Sequence, residues 1–175
     1  MIHMSIDFVV YAAIDGGGRT GVAMACLPLR SDGKVSDGDV LDAIHDAKRS
    51  GRYCTGQVTG SVEFQASLIA SDFRAMVGEG RAAFGGTPAK LTVVHEGFDL
   101  RGANTKQDGL KVIELNQKIQ TMKGDPWMEV ISQSPSTKAA ISNDRLRFFG
   151  LYEKGLPHAM DAVRHLIIAL RKFEL

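Results

Sequence analysis

Five side chains of this 175-residue chain stand where their types can do chemistry. Asp15 closes the apolar run FVVYAAI (residues 8–14) and precedes Gly-Gly-Gly-Arg-Thr. Glu96 closes a second run, KLTVVHE (90–96). His158, Asp161 and His165 follow Pro157 in PHAMDAVRHLIIALRKF. Taken singly, each acid has a plain role: an Asx turn for Asp15, an exposed strand end for Glu96, a solvated helix position for Asp161. Taken together they form a hard, oxygen-rich donor set with some nitrogen, which suits Mg²⁺ or Mn²⁺. Two such ions about 3.5–4 Å apart can activate a water and stabilise the leaving oxygen of a phosphodiester. Without a cation, gathered carboxylates raise one another's pKa; a bound metal offsets that repulsion.

These residues must be brought together by the elements around them. FVVYAAI is almost wholly apolar, with β-branched and aromatic members, and predicts a central strand buried on both faces. GVAMACLPL (21–29) predicts a second strand, joined to the first by a Gly-rich hairpin turn that leaves room for metal and a bulky anionic substrate. VLDAIHDAKR (40–49) predicts a short helix and GQVTGSV (56–62) a third strand. From Glu63 to Ala83 the pattern is helical, with Phe64, Leu68, Phe73, Met76 and Val77 as its apolar positions. GGTPA then breaks the chain before the KLTVVHE strand. Asn104 or Thr105 can cap a helix running to about Met122, with Val112, Leu115, Ile119 and Met122 as its stripe. WMEVISQ (127–133) predicts a fifth strand, and residues 136–150 read as helix or turn. The last helix runs from Pro157 to Phe173. At 100° per residue, Met160, Val163, Ile167 and Leu170 form one stripe. His158, Asp161 and His165 fall within roughly a 60° arc on the opposite side. Three strands, then helix, strand, helix, strand, helix imply an α/β sheet with mixed strand directions.

The length suits one domain, residues 1–175, with no linker or repeat. The formal charge of +1 does not mark a strong polyanion binder taken whole. Lys106, Lys111, Lys118, Lys123, Lys138, Arg145 and Arg147 nonetheless cluster in its second half, either as solvated faces or as a basic surface around a site. Cys26 and Cys54 lack metal spacing, and a reduced, cytoplasmic setting is expected. No signal peptide is evident, and no apolar run reaches the ~18 residues of a membrane span.

The motifs IDGGGRTGVA, VVHEGFDLRG and LPHAMDAVRHLI, in this order, resemble those of the RuvC-type Holliday junction resolvases of the RNase H-like superfamily, most of all the shorter resolvases of phages. The likeness runs from Phe8 to Arg171. It implies an RNase H-like α/β fold: a mixed five-stranded sheet, three antiparallel strands followed by strands alternating with helices, with helices on both faces. It implies a metal-dependent endonuclease that cleaves branched DNA, resolving four-way junctions by attack of a metal-activated water and leaving 5′-phosphate and 3′-hydroxyl ends. On this likeness Asp15, Glu96, His158 and Asp161 are the catalytic and metal-ligating residues for two Mg²⁺ (or Mn²⁺) ions. Arg19, Arg101, Lys106, Lys138 and His165 are candidate DNA contacts. His165 could equally stand behind the metal ligands. The likeness implies a homodimer through the helix of residues 105–122 and, for a phage gene, work in the cytoplasm of the bacterial host. The stretch after SQSPSTKAAIS lacks a long helix found in cellular members, which leaves selectivity among branched structures open. Another RNase H-like nuclease, acting on flaps or RNA–DNA hybrids, and a catalytically inactive DNA-binding module are the alternatives. An actin-like or sugar-kinase ATPase also uses an Asp-x-Gly hairpin but needs a second lobe and a second phosphate loop, which this chain lacks.

Overall fold

The computed structural model describes residues 6–36, 38–97, 107–121 and 128–173. Strands β1 (Ile6–Asp15), β2 (Arg19–Pro28) and β3 (Tyr53–Thr59) form an antiparallel meander, with helix α1 (Val40–Arg49) between the second and third. Helix α2 (Val62–Phe84) then crosses to β4 (Gly85–Glu96), parallel to β1. Helix α3 (Gln107–Thr121) crosses to β5 (Met128–Gln133), parallel to β4. The sheet order is β3-β2-β1-β4-β5. A 3₁₀ turn (Pro135–Ala140), α4 (Asn143–Phe148) and α5 (Pro157–Phe173) complete the chain.

Alternation along the strands divides the core into two layers. Val9, Tyr11 and Ala13 of β1 pack with Ala23, Ala25 and Leu27 of β2 beneath α1 and α5. Phe8, Val10, Ala12 and Ile14 face the other way, with Met24 and Cys26, beneath α2 and α3. Both faces of β1 are therefore apolar, which is why FVVYAAI shows no period-two pattern. The mixed sheet and the helices on both faces agree with the expected fold class.

Local expectations fail where caps and bulges decide the outcome. The third strand covers 53–59, not 56–62, because Ser61 is claimed as the N-cap of α2 and accepts from Phe64 N at 3.2 Å. GGTPA is not a break but the start of β4. Gly85 ends α2 with φ 66°, a left-handed cap that only glycine adopts cheaply, so helix turns directly into strand. Pro88 is accommodated because the β1–β4 register shifts there and β5 pairs with β4 only from Leu91 onward. On α2, Phe64 is 55% exposed, while Gln65 and Ile69 are buried in its place. Val112, Leu115 and Ile119 of α3 are buried within the chain. The expected helix start at Asn104 or Thr105, its end at Met122, Lys123, Trp127, and the candidate DNA contacts Arg101 and Lys106 lie outside the described residues.

The last helix shows the largest difference. Alongside the stripe Met160, Val163, Ile167 and Leu170, residues Ala159, Ala162, His165, Leu166 and Ala169 are also buried. The buried arc covers well over half the helix circumference, so His165 points into the protein rather than away from it. The cause is a small-on-small contact. Ala159, Ala162 and Ala169 share one packed layer with Ala23 and Ala25, small side chains that let α5 press closely onto β2. Gly21 makes the closest approach: a Cβ there would lie 1.9 Å from the backbone oxygen of His158. Period arithmetic weighs only large apolar side chains, and alanines facing alanines fall below its notice.

Candidate metal centre

Three parallel strands end side by side. In the β1–β4 register Ile14 pairs with His95, so Asp15 and Glu96 come next in line; Glu96 itself pairs with Gln133 of β5. Asp15 is in phase with Val9, Tyr11 and Ala13, Glu96 with Val94, and Gln133 with Ile131. All three therefore project from the carboxyl ends of their strands onto the face covered by α5, the usual position for a ligand site on an open α/β sheet.

Helix α5 closes this row. His165, wholly buried, donates from Nδ1 to Gln133 Oε1 at 2.8 Å and brings Nε2 to 3.1 Å from Glu96 Oε2. An amide oxygen only accepts, so Gln133 assigns the proton to Nδ1 and leaves Nε2 to meet the acids. That nitrogen is a donor when the ring is charged and a lone pair when it is neutral. Asp15, Glu96 and His165 each offer one ligand atom, all within 4.8 Å of one another, and this is the one such group among the described residues. Two hard oxygens and an imidazole nitrogen fit a divalent cation. One metal-binding cluster is thus present.

The other expected ligands border this trio. His158 Nδ1 is 2.8 Å from Asp15 Oδ2. Asp161 is held by Arg164, whose Nη1 is 2.6 Å from Oδ1. Lys138, on the 3₁₀ turn after β5, joins all three acids. Its Nζ lies 2.9 Å from Asp161 Oδ2, 3.0 Å from Glu96 Oε2 and 3.6 Å from Asp15 Oδ1. Asp15, Glu96 and Asp161 thus converge from three distant parts of the sequence.

Electrostatics divides the two strand-end acids. Burial, reinforced by the adjoining Glu96, pushes Asp15 up to about 6 against the pull of His158 and Lys138. Burial also acts to raise Glu96, but hydrogen bonds with His165, Asp15 and Lys138 prevail and hold it down to about 2. Desolvation acts to lower Lys138, yet Asp161 and Glu96 beside it drive the ammonium well above its ordinary range. The pair Asp15–Glu96 therefore keeps a proton up to about pH 6, and below that pH a divalent ion would have to displace it.

Several expected contacts change place. His165 is enclosed and cannot touch a phosphate; its partners are Gln133 and Glu96. Lys138 is turned inward onto the acids rather than outward. Arg19 is exposed at the start of β2, directly after the turn of residues 16–18. Among the described basic residues of the second half, Lys118 pairs with Glu63, Arg145 with Asp39 and Arg147 with Asp144. A Cβ on Gly16 would make ordinary contact with Val112 and Leu115 of α3, at 3.5 and 3.7 Å, on the sheet face away from Asp15 and α5.

Three residues in or behind the site escaped the sequence reading. Gln133 ends WMEVISQ as Asp15 and Glu96 end their own runs, a polar terminus that was there to be noticed. Asn116 and Gln120 of α3 brace the end of β4. Asn116 Nδ2 donates to Glu96 O at 3.1 Å, and Gln120 Nε2 lies 3.3 Å from His95 Nε2. Burial lowers the His95 pKa, which favours the neutral ring that can accept from Gln120. Replacing Gln133 with Leu would free the His165 tautomer. It is expected to weaken Mn²⁺ binding by about 10–100-fold in calorimetry, the usual effect of losing a group that orients a metal-bound histidine.

No family model and no curated protein matches this chain. Among solved structures, it is similar to Thermus thermophilus RuvC in complex with a Holliday junction substrate, at 16% identity over 94% of each chain and a TM-score of 0.48. A second structure of T. thermophilus RuvC is similar at 16% identity over 94% of this chain and 95% of the other, TM-score 0.46. The yeast mitochondrial Holliday junction resolvase Ydc2 is similar at 13% identity over 97% of this chain and 83% of that one, TM-score 0.41. The meander β1–β3, the parallel strands β4 and β5 and the helices on both faces together make this an RNase H-like fold.

Proposed function

We propose that the protein is a metal-dependent endonuclease that cleaves branched DNA, with the four-way junction as its main substrate. The observation that carries this reading is the convergence of Asp15, Glu96 and His165 at the ends of β1 and β4 and on α5, with Asp161 and His158 at the rim. A divalent ion held there supplies Lewis-acid polarisation of a phosphodiester. Asp15, Glu96 and His165 would hold one ion; His158 and Asp161, at the rim of that trio, are the donors left for a second. Gln133 keeps the His165 ring oriented, and α3 steadies Glu96 through Asn116. Arg19, Arg101, Lys106 and Lys138 take backbone phosphates, so binding weakens steeply with salt.

The protein acts as one domain and as a homodimer through the helix of residues 105–122, in the cytoplasm and, for a phage gene, that of the bacterial host. Among the described residues, no helix is long and apolar enough to cross a membrane.

The test is cleavage, with Mg²⁺ and separately Mn²⁺, of a four-way junction, a flap, a linear duplex and an RNA–DNA hybrid of matched length. Preferential symmetric nicking of the junction is expected. Preference for the hybrid would reassign the substrate, and no cleavage of any of the four would remove the reading.

The proton kept by the acid pair predicts a pH dependence. Asp15 titrates near pH 6, above its ordinary value, and a metal must displace its proton. Mn²⁺ affinity should be flat above pH 7 and fall about tenfold per unit below pH 6, as a single competing proton requires. Calorimetry at pH 5 and 7.5 measures this directly.

A further inference from the structure

Lys138 occupies an unusual position for a cation beside a metal centre. Its ammonium is within 3.6 Å of Asp15, Glu96 and Asp161 together. Two of these acids belong to the group that can hold a metal. Three carboxylates around one cation is the charge environment of a divalent ion. The lysine reaches it from the 3₁₀ turn Pro135–Ala140, so it neutralises acids presented by β1, β4 and α5 without belonging to any of them. Its side chain is only 28% exposed, less than a surface lysine would be. The turn is anchored by Ser134, which accepts from Ser136 N and, through its carbonyl, from Thr137 Oγ1 at 2.8 Å.

An ammonium and a divalent ion cannot both be first neighbours of the same carboxylate oxygens without strong repulsion. Removing the ammonium with nothing in its place would leave Asp15 and Glu96 only their histidine partners and Asp161 only Arg164, a part-buried acidic cluster short of compensating charge. The same contact therefore stabilises the metal-free site and opposes metal entry.

We infer that Lys138 is a built-in counter-ion that holds the acidic cluster together before metal binds and is displaced by the metal, so that it sets the metal affinity of the site. This rests on the metal-centre reading above. Its free-energy consequence is that binding costs the Lys138 ion pairs. Once expelled, the ammonium is carried by a turn that holds no buried residue and is free to meet an anion.

The experiment compares the parent with Lys138→Met and Lys138→Arg by calorimetry with Mn²⁺, with thermal melting in EDTA and in saturating Mn²⁺. K138M is expected to bind Mn²⁺ about tenfold tighter than the parent, since a competing charge is gone. It should melt lower in EDTA and gain more from Mn²⁺ than the parent gains. K138R keeps a cation and should stay close to the parent in both. Displacement is read separately by acetylating the parent with an amine reagent and following Lys138 by mass spectrometry. Its labelling should be slow in EDTA and several-fold faster in saturating Mn²⁺. Equal or weaker Mn²⁺ binding by K138M, or labelling unchanged by Mn²⁺ in a parent that binds it, overturns the inference while leaving the metal centre intact. Binding by K138M alone would support it in its strongest form. If neither protein binds Mn²⁺, the metal-centre reading fails and this inference falls with it.

Discussion

Asp15→Asn is expected to eliminate junction cleavage, by on the order of a thousandfold or more in single-turnover rate, while junction binding in EDTA is retained. Asp15 belongs to the trio that would hold the ion and also contacts His158, and an amide keeps its shape but offers one neutral oxygen in place of two charged ones. The same change should make the metal-free protein more stable. The sign follows from the direction of the shift. The folded Asp15 titrates at about 6, above the unfolded carboxyl, so its contribution is fully present below the unfolded value and is lost as pH rises through about 6. Asparagine resembles the protonated form at every pH. In EDTA the D15N protein should therefore melt above the parent at pH 8, and the gap should close toward pH 5. A protein that melts higher yet does not cut separates a lost function from a lost fold. Cutting by D15N at the parental rate would exclude Asp15 from the chemistry.

Gly21→Ala should be the most damaging single methyl group in the described structure. An added Cβ would lie 1.9 Å from His158 O, 2.1 Å from His158 C and 2.6 Å from Ala159 N, all backbone atoms of α5. No rotamer change relieves a clash with backbone, so α5 must move off β2. The expected cost is about 3 kcal/mol, the upper end for overpacking, seen as a lower urea midpoint. Because α5 carries His158, Asp161 and His165, the site opens as the helix shifts, and Mn²⁺ affinity should fall with stability. Gly56→Ala on the neighbouring strand is the matched control. Nothing lies within 4 Å of a Cβ there, and a stability change within about 0.5 kcal/mol is expected. Equal effects at the two positions would show that α5 does not depend on the close approach at Gly21.

Asp15 and Glu96 announced themselves because an acid at the end of a long apolar run has few structural uses. The central strand, the hairpin, the crossover helices and the final helix were equally plain, each being long, strongly periodic or continuously apolar. Gly21 was not singled out. A glycine within an apolar strand looks the same whether a helix backbone lies against it or open solvent does. Lys138 stands in the sequence as a candidate DNA contact, because sequence shows a charge and not the direction in which it points.

The amino-acid order by itself determined the mixed sheet, the succession of its elements and the identity of the acids that end β1 and β4. These follow from contacts between near neighbours and from side-chain alternation, both of which are local. Only the tertiary structure decided that Gln133 lines up beside Glu96, that His165 turns inward to complete the trio and that Lys138 bridges three carboxylates. Those facts depend on strand register between distant segments and on how closely α5 can approach β2. That distance is set by the fit of alanine and glycine surfaces against one another, a property of two packed faces that neither segment carries alone.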